Sequence, residues 1–219
     1  MNGNNCLAEK EGIPLNFRTK MKVTPDRPGT FISDQNKIEL LTEKFEEVLR
    51  IIGLDTEDDS LKDTPRRIAK MYINEIFKGL NPQNRPEITL FENSYGYHSP
   101  LLEMNIPFTS FCEHHFVPIM GKANLVYVPK NKVIGLSKLH RLVDFHARRP
   151  QVQERLTFQI AKDLMECLGT EDVGVVLKGS HSCISCRGVE DQGSSTITSL
   201  FYGSLFENQG IKNILYGNG

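Results

Sequence analysis

Cys112, Glu113, His114 and His115 stand together in Phe111-Cys112-Glu113-His114-His115-Phe116, and Ser180-His181-Ser182-Cys183-Ile184-Ser185-Cys186 answers them later in the chain. The two stretches hold three of the five cysteines and three of the six histidines. Thiolate with imidazole is the donor set that borderline-soft zinc prefers. In Cys112-x-x-His115 both side chains can turn toward one ion across a tight turn. With His181 to Cys183 extended, residues i and i+2 share a face, and His181 comes to lie beside a metal held by Cys183. Two readings stay open. Cys112, His115, Cys183 and Cys186 make a closed structural tetrahedron. Cys112, His115 and Cys183 alone leave a fourth position for water, with His114 and His181 free to move protons. The surplus histidines tilt toward the second, because a purely structural site has no use for them.

A second constellation is cationic. Lys138, Arg141 and Arg148 recur near one helix face, with Ser137 as the expected N-cap, where free N–H groups also favour an anion. An isolated basic stripe is more often a solvated face. Arg187, just past the cysteines, and Arg66 and Arg67, opening an earlier helix, add cations from other elements, as a triphosphate requires. Glu154 has two readings as well. It is a surface carboxylate paired with Arg155, or it accepts two parallel N–H bonds of the kind guanine offers at N1 and its 2-amino group.

Elements must position these groups. With 219 residues, 39% hydrophobic and 24% charged, the chain reads as one globular domain with an N-terminal extension. A net charge of -1 without a basic block argues against nucleic-acid binding. No stretch suits a membrane span and the N-terminus lacks the order of a signal peptide, so a cytoplasmic protein is expected. An odd cysteine count fits metal binding better than disulfides.

Residues 1–32 lack periodicity and read as a flexible arm; residues 33–219 read as one domain. Ser33 caps a first amphipathic helix closed by Gly53, and Thr64 with Pro65 opens a second that ends at Gly79, making a helical pair over 33–80. From 87 to 206 lies the core. Ile88–Phe91, Leu101–Phe108, Val117–Val128, Val173–Leu177 and Thr196–Tyr202 read as strands. Between them, Ser137 to about Ala147 and Val152 to Leu168 read as helices, broken at Pro150 and ended at Gly169. That order predicts an α+β fold with an antiparallel sheet. Residues 207–219 carry no clear signal.

These residues resemble the GTP cyclohydrolase I family from about Lys37 to Leu205. The resemblance rests on Cys112-Glu113-His114-His115, Gly135-Leu136-Ser137-Lys138, Arg148 through Leu156, and His181-Ser182-Cys183 with Arg187-Gly188, in this order. It implies one zinc per subunit on Cys112, His115 and Cys183, with Cys186 outside the ligand set. It implies GTP as substrate, opened by hydrolysis at C8 of guanine with loss of formate, then an Amadori-type rearrangement and closure to 7,8-dihydroneopterin triphosphate. His114 matches the proton donor to the ring nitrogen, His181 a second proton-transfer group, and Ser137 a residue of the ribose-centred steps. Lys138, Arg141 and Arg187, and more weakly Arg67, match triphosphate contacts. Glu154 with Gln153 matches the guanine anchor. The family fold is the tunnelling fold, an antiparallel sheet backed by two antiparallel helices with an N-terminal helical pair, assembled as a toroidal homodecamer with sites between subunits. Neither nucleic acid nor membrane is implied as a partner.

Rival readings are weaker. A zinc deaminase wants His-x-Glu and Pro-Cys-x-x-Cys, yet Phe111 lies two before Glu113 and Ser182 precedes Cys183. A tunnelling-fold reductase acting on a deazapurine should lack the zinc triad. A zinc-stabilised nucleotide-binding module without catalysis leaves His114, His181 and the cations idle. Cys186 reads as a small buried residue, and His98, His140 and His146 as packing or solvent-facing histidines.

Overall fold

The structure, a computed structural model, describes residues 32–217; the expected arm over residues 1–32 lies outside them except at its last residue. Two helices come first, α1 at Asp34–Ile51 and α2 at Thr64–Met71. The α1 cap is the expected one, since the Ser33 hydroxyl accepts from the Asn36 N–H at 3.2 Å. At α2 the cap is Asp63 rather than Thr64, and its carboxylate pairs with Arg67 at 3.3 Å instead of closing the helix end. A π turn, Tyr72–Ile76, then replaces the expected run of helix to Gly79. Its wider hydrogen bond, from Phe77 N–H to Tyr72 C=O, places the Tyr72 and Phe77 rings 5.4 Å apart.

The core follows as β1 (Leu90–Glu92), β2 (Leu101–Cys112), β3 (Pro118–Tyr127), β4 (Lys132–Ile134), α3 (Leu136–Ala147), β5 (Pro150–Gln151), α4 (Gln153–Leu168), β6 (Val173–His181), the single turn α5 (Ser182–Ser185), β7 (Thr196–Phe201) and α6 (Gln209–Tyr216). β1 and β4 pair as a ribbon, and the main sheet has the order β5-β2-β3-β6-β7. Its pairings are antiparallel except at β5, where Phe111 and Cys112 meet Pro150 and Gln151 in parallel. Period-two burial explains the layering. Ile106, Phe108, Leu125, Val175 and Leu177 face Leu139, Leu142, Val143, Leu156, Ile160 and Leu164 of α3 and α4. Val126, Val176 and Phe201 face the other way and are covered by Leu205, Ile211 and Leu215. Ile211 and Leu215 of that cover belong to α6, in the C-terminal stretch whose sequence is uninformative; Asn208 caps it, and Asn124 Nδ2 donates to Leu215 C=O at 2.6 Å.

Two other expectations need correction. α3 begins at Leu136 behind an extended Gly135, so Ser137 lies inside the first turn and is not the cap. β6 ends at His181, and the chain turns helical at Ser182, so His181 and Cys183 do not share a strand face.

The helical pair is fastened to the core by rings and by one glycine. Phe45 stacks on Tyr72 at 5.6 Å, Phe77 meets Phe111 at 6.1 Å, and Phe77 meets Phe116 edge-on at 5.1 Å. Gly79 N–H donates to Arg148 C=O at 2.9 Å, and a Cβ there would stand 2.2 Å from Phe145 C=O. Only glycine fits.

Behind α3, His146 is buried with Nε2 2.8 Å from Asp163 Oδ2, and Arg85 and Cys167 also reach that carboxylate. Burial pushes the Asp163 carboxyl up, but the bond and charge of His146 and the charge of Arg85 outweigh it, holding the group below 3.8. Burial also pushes the His146 imidazole below 6.5; Asp163 opposes this, while Arg149 and Arg85 reinforce it. Burial first, then Asp163, raises the Cys167 thiol to about 11. Cys167 therefore stays a protonated packing group despite its histidine and aspartate neighbours.

Both His146 and Asp163 release protons more readily when folded, so the unfolded chain binds more protons once the pH drops below 6.5. Stability is full above that value and falls on acidification, first through His146 and then through Asp163. The slope is at most about 1.4 kcal/mol per pH unit for each proton. Urea midpoints across this range will show the fall in the parent, and a flatter profile between about pH 7 and 5 in His146→Asn.

Candidate metal centre and its surroundings

The register brings distant residues to one end of the sheet. Phe111 pairs with Pro118 across the β2–β3 turn, and Ile119 pairs with His181 across β3–β6. Cys112 at the end of β2 and Cys183 just past β6 are thereby neighbours. The intervening turn is tight. Cys112 C=O accepts from Phe116 N–H at 2.8 Å and from His115 N–H at 3.4 Å, and Phe116 takes a left-handed φ of 54°. A bulky residue adopts that conformation only when held. Here the Tyr72 and Phe77 rings pack against Phe116 at 6.2 and 5.1 Å.

Cys112, His115 and Cys183 each offer a donor atom, and the three atoms lie within 4.8 Å of one another. A tetrahedral ion with sulfur and nitrogen ligands needs donor separations of about 3.5 to 3.8 Å. The measured Cys112 Sγ to His115 Nδ1 distance is 3.8 Å. Burial and the adjoining Cys112 thiol raise the Cys183 thiol, with Arg187 opposing. Thiols bind a metal as thiolates, so a cation held between two of them takes the place of their protons. The donor set thus fits a soft or borderline metal. Cys186 is not among the three and is exposed, which corrects the expectation that it is buried.

Glu113 does not reach into this group. Its N–H donates to Gln151 C=O at 3.0 Å, and Arg155 of α4 grips its carboxylate with two bonds of 2.6 and 3.2 Å. That guanidinium holds the Glu113 carboxyl below the usual range against modest burial. The pairing also removes the reading in which Glu154 pairs with Arg155. Arg155 is engaged elsewhere, and Glu154 stands exposed in the first turn of α4 with no ion pair among the described residues.

The two other histidines differ. His114 is largely exposed, with Nδ1 3.6 Å from Cys112 Sγ. His181 is half-buried, with Nε2 3.0 Å from Gln153 Oε1. Burial lowers its imidazole and the nearby Glu154 charge opposes that. Gln153 departs from the expectation of a side chain offered to a ligand. It is 2% exposed and its amide is spent inside the protein.

The expected anion contacts do not all gather here. Arg187 lies on the exposed chain just past α5 and close enough to act on Cys183. Ser137, Lys138 and Arg141 lie toward the opposite end of the sheet. In the same helix turn, His140 Nε2 is 3.1 Å from Glu103 of β2. Glu103 precedes Cys112 by nine strand residues, on the order of 25 to 30 Å at the usual rise. Arg141 there lines a groove of about 650 Å³ with Lys78, His140 and Asp144. Arg67 is exposed on α2 and paired with Asp63. Arg148, part of the expected stripe, turns back to Asp144 at 2.9 Å. The Arg155 clamp and the inward Gln153 amide left no mark in the sequence, because each is defined by a partner far along the chain.

A family model described as GTP cyclohydrolase I matches residues 41–216. The chain is 48% identical over 186 residues to GTP cyclohydrolase 1 of Flavobacterium johnsoniae, covering 84% of this chain and 83% of the relative. It is 46% identical over 185 residues to GTP cyclohydrolase 1 of Shewanella putrefaciens (84% and 86% covered) and 48% over 177 residues to that of Tolumonas auensis (81% and 82%). A solved structure of the archaeosine synthase QueF-Like in the apo form aligns at a TM-score of 0.39 with 15% identity, over 49% of this chain and 95% of that one, too distant to carry an argument.

The Arg155 clamp steadies the turn that bears Cys112 and His115, so Arg155→Met should weaken metal affinity about 10- to 100-fold. Competition against a chelating dye measures this. Unchanged affinity would mean that the turn is held by the Phe116 packing alone.

Proposed function

The chain belongs to the GTP cyclohydrolase I family, and from that membership we infer that it opens the guanine ring of GTP by hydrolysis, releases C8 as formate, and rearranges the remainder to 7,8-dihydroneopterin triphosphate. The observation that carries this reading to particular residues is the three-donor group of Cys112, His115 and Cys183, with His114 beside Cys112 Sγ and His181 two residues before Cys183.

Each residue has a role that suits its surroundings. Glu154, exposed and in no ion pair among the described residues, accepts the guanine N1–H and 2-amino N–H in parallel. Cys112, His115 and Cys183 hold one zinc per subunit, which when bound supplies a Lewis acid and a water that ionises near neutral pH. His114 gives a proton to the ring nitrogen as the bond to C8 breaks, and its exposure lets it recharge from solvent. His181 moves protons on the opposite flank, and Ser137 assists the ribose-centred steps. Lys138, Arg141 and Arg187, with Arg67 as an outlying fourth, neutralise the triphosphate, while Gln153 supports from within the fold.

The distance between Lys138 and the metal group within one chain supports a site shared between subunits. A neighbouring copy brings Ser137, Lys138 and Arg141 to the Cys112 end, in a closed ring read as the toroidal homodecamer of the tunnelling fold. No described helix is long and apolar enough to cross a membrane, and the cytoplasm is the proposed location.

Incubating the zinc-loaded protein with GTP should yield both formate and, after oxidation, pterin fluorescence. His114→Ala should lower both at least about 100-fold. Neither product from the parent, with zinc and assembly intact, would favour a nucleotide-binding module instead. The shared site has its own check. Cys112→Ala and Lys138→Ala, each inactive alone, should regain about a quarter of parental activity when co-assembled, because random mixing gives that share of intact sites. No recovery would place the whole site in one chain.

A further inference from the structure

We propose that Gln153 is a positioning residue that sets the tautomer of His181, so that this histidine enters the reaction with Nε2 protonated and Nδ1 bare. The inference rests on the proposed part of His181 in catalysis and adds the direction in which it first moves a proton.

The argument is a count of donors and acceptors. Gln153 Nε2 lies 3.2 Å from Leu177 C=O, 3.0 Å from Thr196 C=O and 3.1 Å from Thr198 Oγ1. Carbonyl oxygens only accept, so the amide end facing them must be the NH2 group. The third contact agrees. Thr157 gives its one hydroxyl proton to Gln153 C=O at 2.8 Å, so in the 2.7 Å Thr157–Thr198 contact the proton comes from Thr198. Thr198 Oγ1 is then left with lone pairs for the Gln153 amide, whose two hydrogens are shared among the three acceptors. Reversing the amide would set Oε1 against two carbonyl oxygens in a side chain only 2% exposed, where no water relieves the repulsion.

With the amide fixed, Oε1 faces His181 Nε2 at 3.0 Å and can only accept. Nε2 must therefore carry the hydrogen, and in the neutral ring Nδ1 holds a lone pair. His181 is poised as a proton acceptor, in contrast to the donor role of His114. The seat for Oε1 exists because residue 179 has no side chain. A Cβ on Gly179 would stand 2.6 Å from Gln153 Oε1 and 3.3 Å from Ile119. Gly179 lies in β6 at ordinary backbone angles, so that clearance is its evident use.

The test reads the tautomer directly, by solid-state NMR of the zinc-loaded assembly with 15N-labelled histidine. The His181 signals are assigned by difference against His181→Asn. The parent should show Nε2 protonated and Nδ1 bare at a pH where the ring is neutral. Gln153→Met, which keeps the length and apolar body but loses the acceptor, should show a tautomer mixture. Its kcat should fall about 10- to 100-fold with KM little changed. Gly179→Ala should shift the same signals by displacing Oε1. A protonated Nδ1 in the parent overturns the proposal whatever the variants do, and so does a Gln153→Met protein with parental signals and kcat. Full turnover by His181→Asn would instead strike the catalytic role of His181 and leave the tautomer assignment standing.

Discussion

Antiparallel pairing of β3 with both β2 and β6 is the constraint on which the rest of this protein depends. Phe111 opposite Pro118 and Ile119 opposite His181 bring the end of one strand and the end of another to a single corner. A slip of one residue in either pairing would turn the buried face of that strand to the other side and carry Cys112 or His181 away from the corner. The register is guarded by burial on both faces of the central strands. Val175 and Leu177 pack under α3 and α4, and Val176 packs under the C-terminal cover. The hydrophobic layering that stabilises the sheet is also what gives the metal group its geometry.

Around that corner, buried polar groups are arranged so that each has one stable way to bond. Arg155 takes both oxygens of Glu113, so the turn between two ligands cannot swing. Gln153 is held by two carbonyls and a hydroxyl, and its remaining oxygen meets His181. Such groups cost desolvation and return it through geometry. The aromatic chain from Phe45 through Tyr72 and Phe77 to Phe116 does the same work with apolar contacts, tying the helical pair to the strained residue of the metal turn. Motion of that pair would be felt at His115, one residue away.

The cationic turn of α3 is placed by different contacts. Ser137, Lys138 and Arg141 belong to a helix turn that His140 ties to Glu103, far along β2 from the metal group. The proposed sharing of the site between copies rests on that separation. In the proposed closed ring each copy would offer both halves.

What the sequence by itself determined was local chemistry and periodicity. The donor residues Cys112, His115 and Cys183, the extra histidines, the strand runs and the Ser33 cap are all properties of neighbouring residues or of fixed spacing. The missed caps at α2 and α3 and the helical turn at Ser182 are boundary effects, where adjoining structure outweighs a single residue's preference. Only the tertiary structure decided that Arg155 serves Glu113 rather than Glu154, that Gln153 points inward, and that α6 closes the sheet. Each of those depends on a partner distant in the chain. Hydrogen bonds and packing across such separations are set by the fold as a whole, and no local pattern carries them.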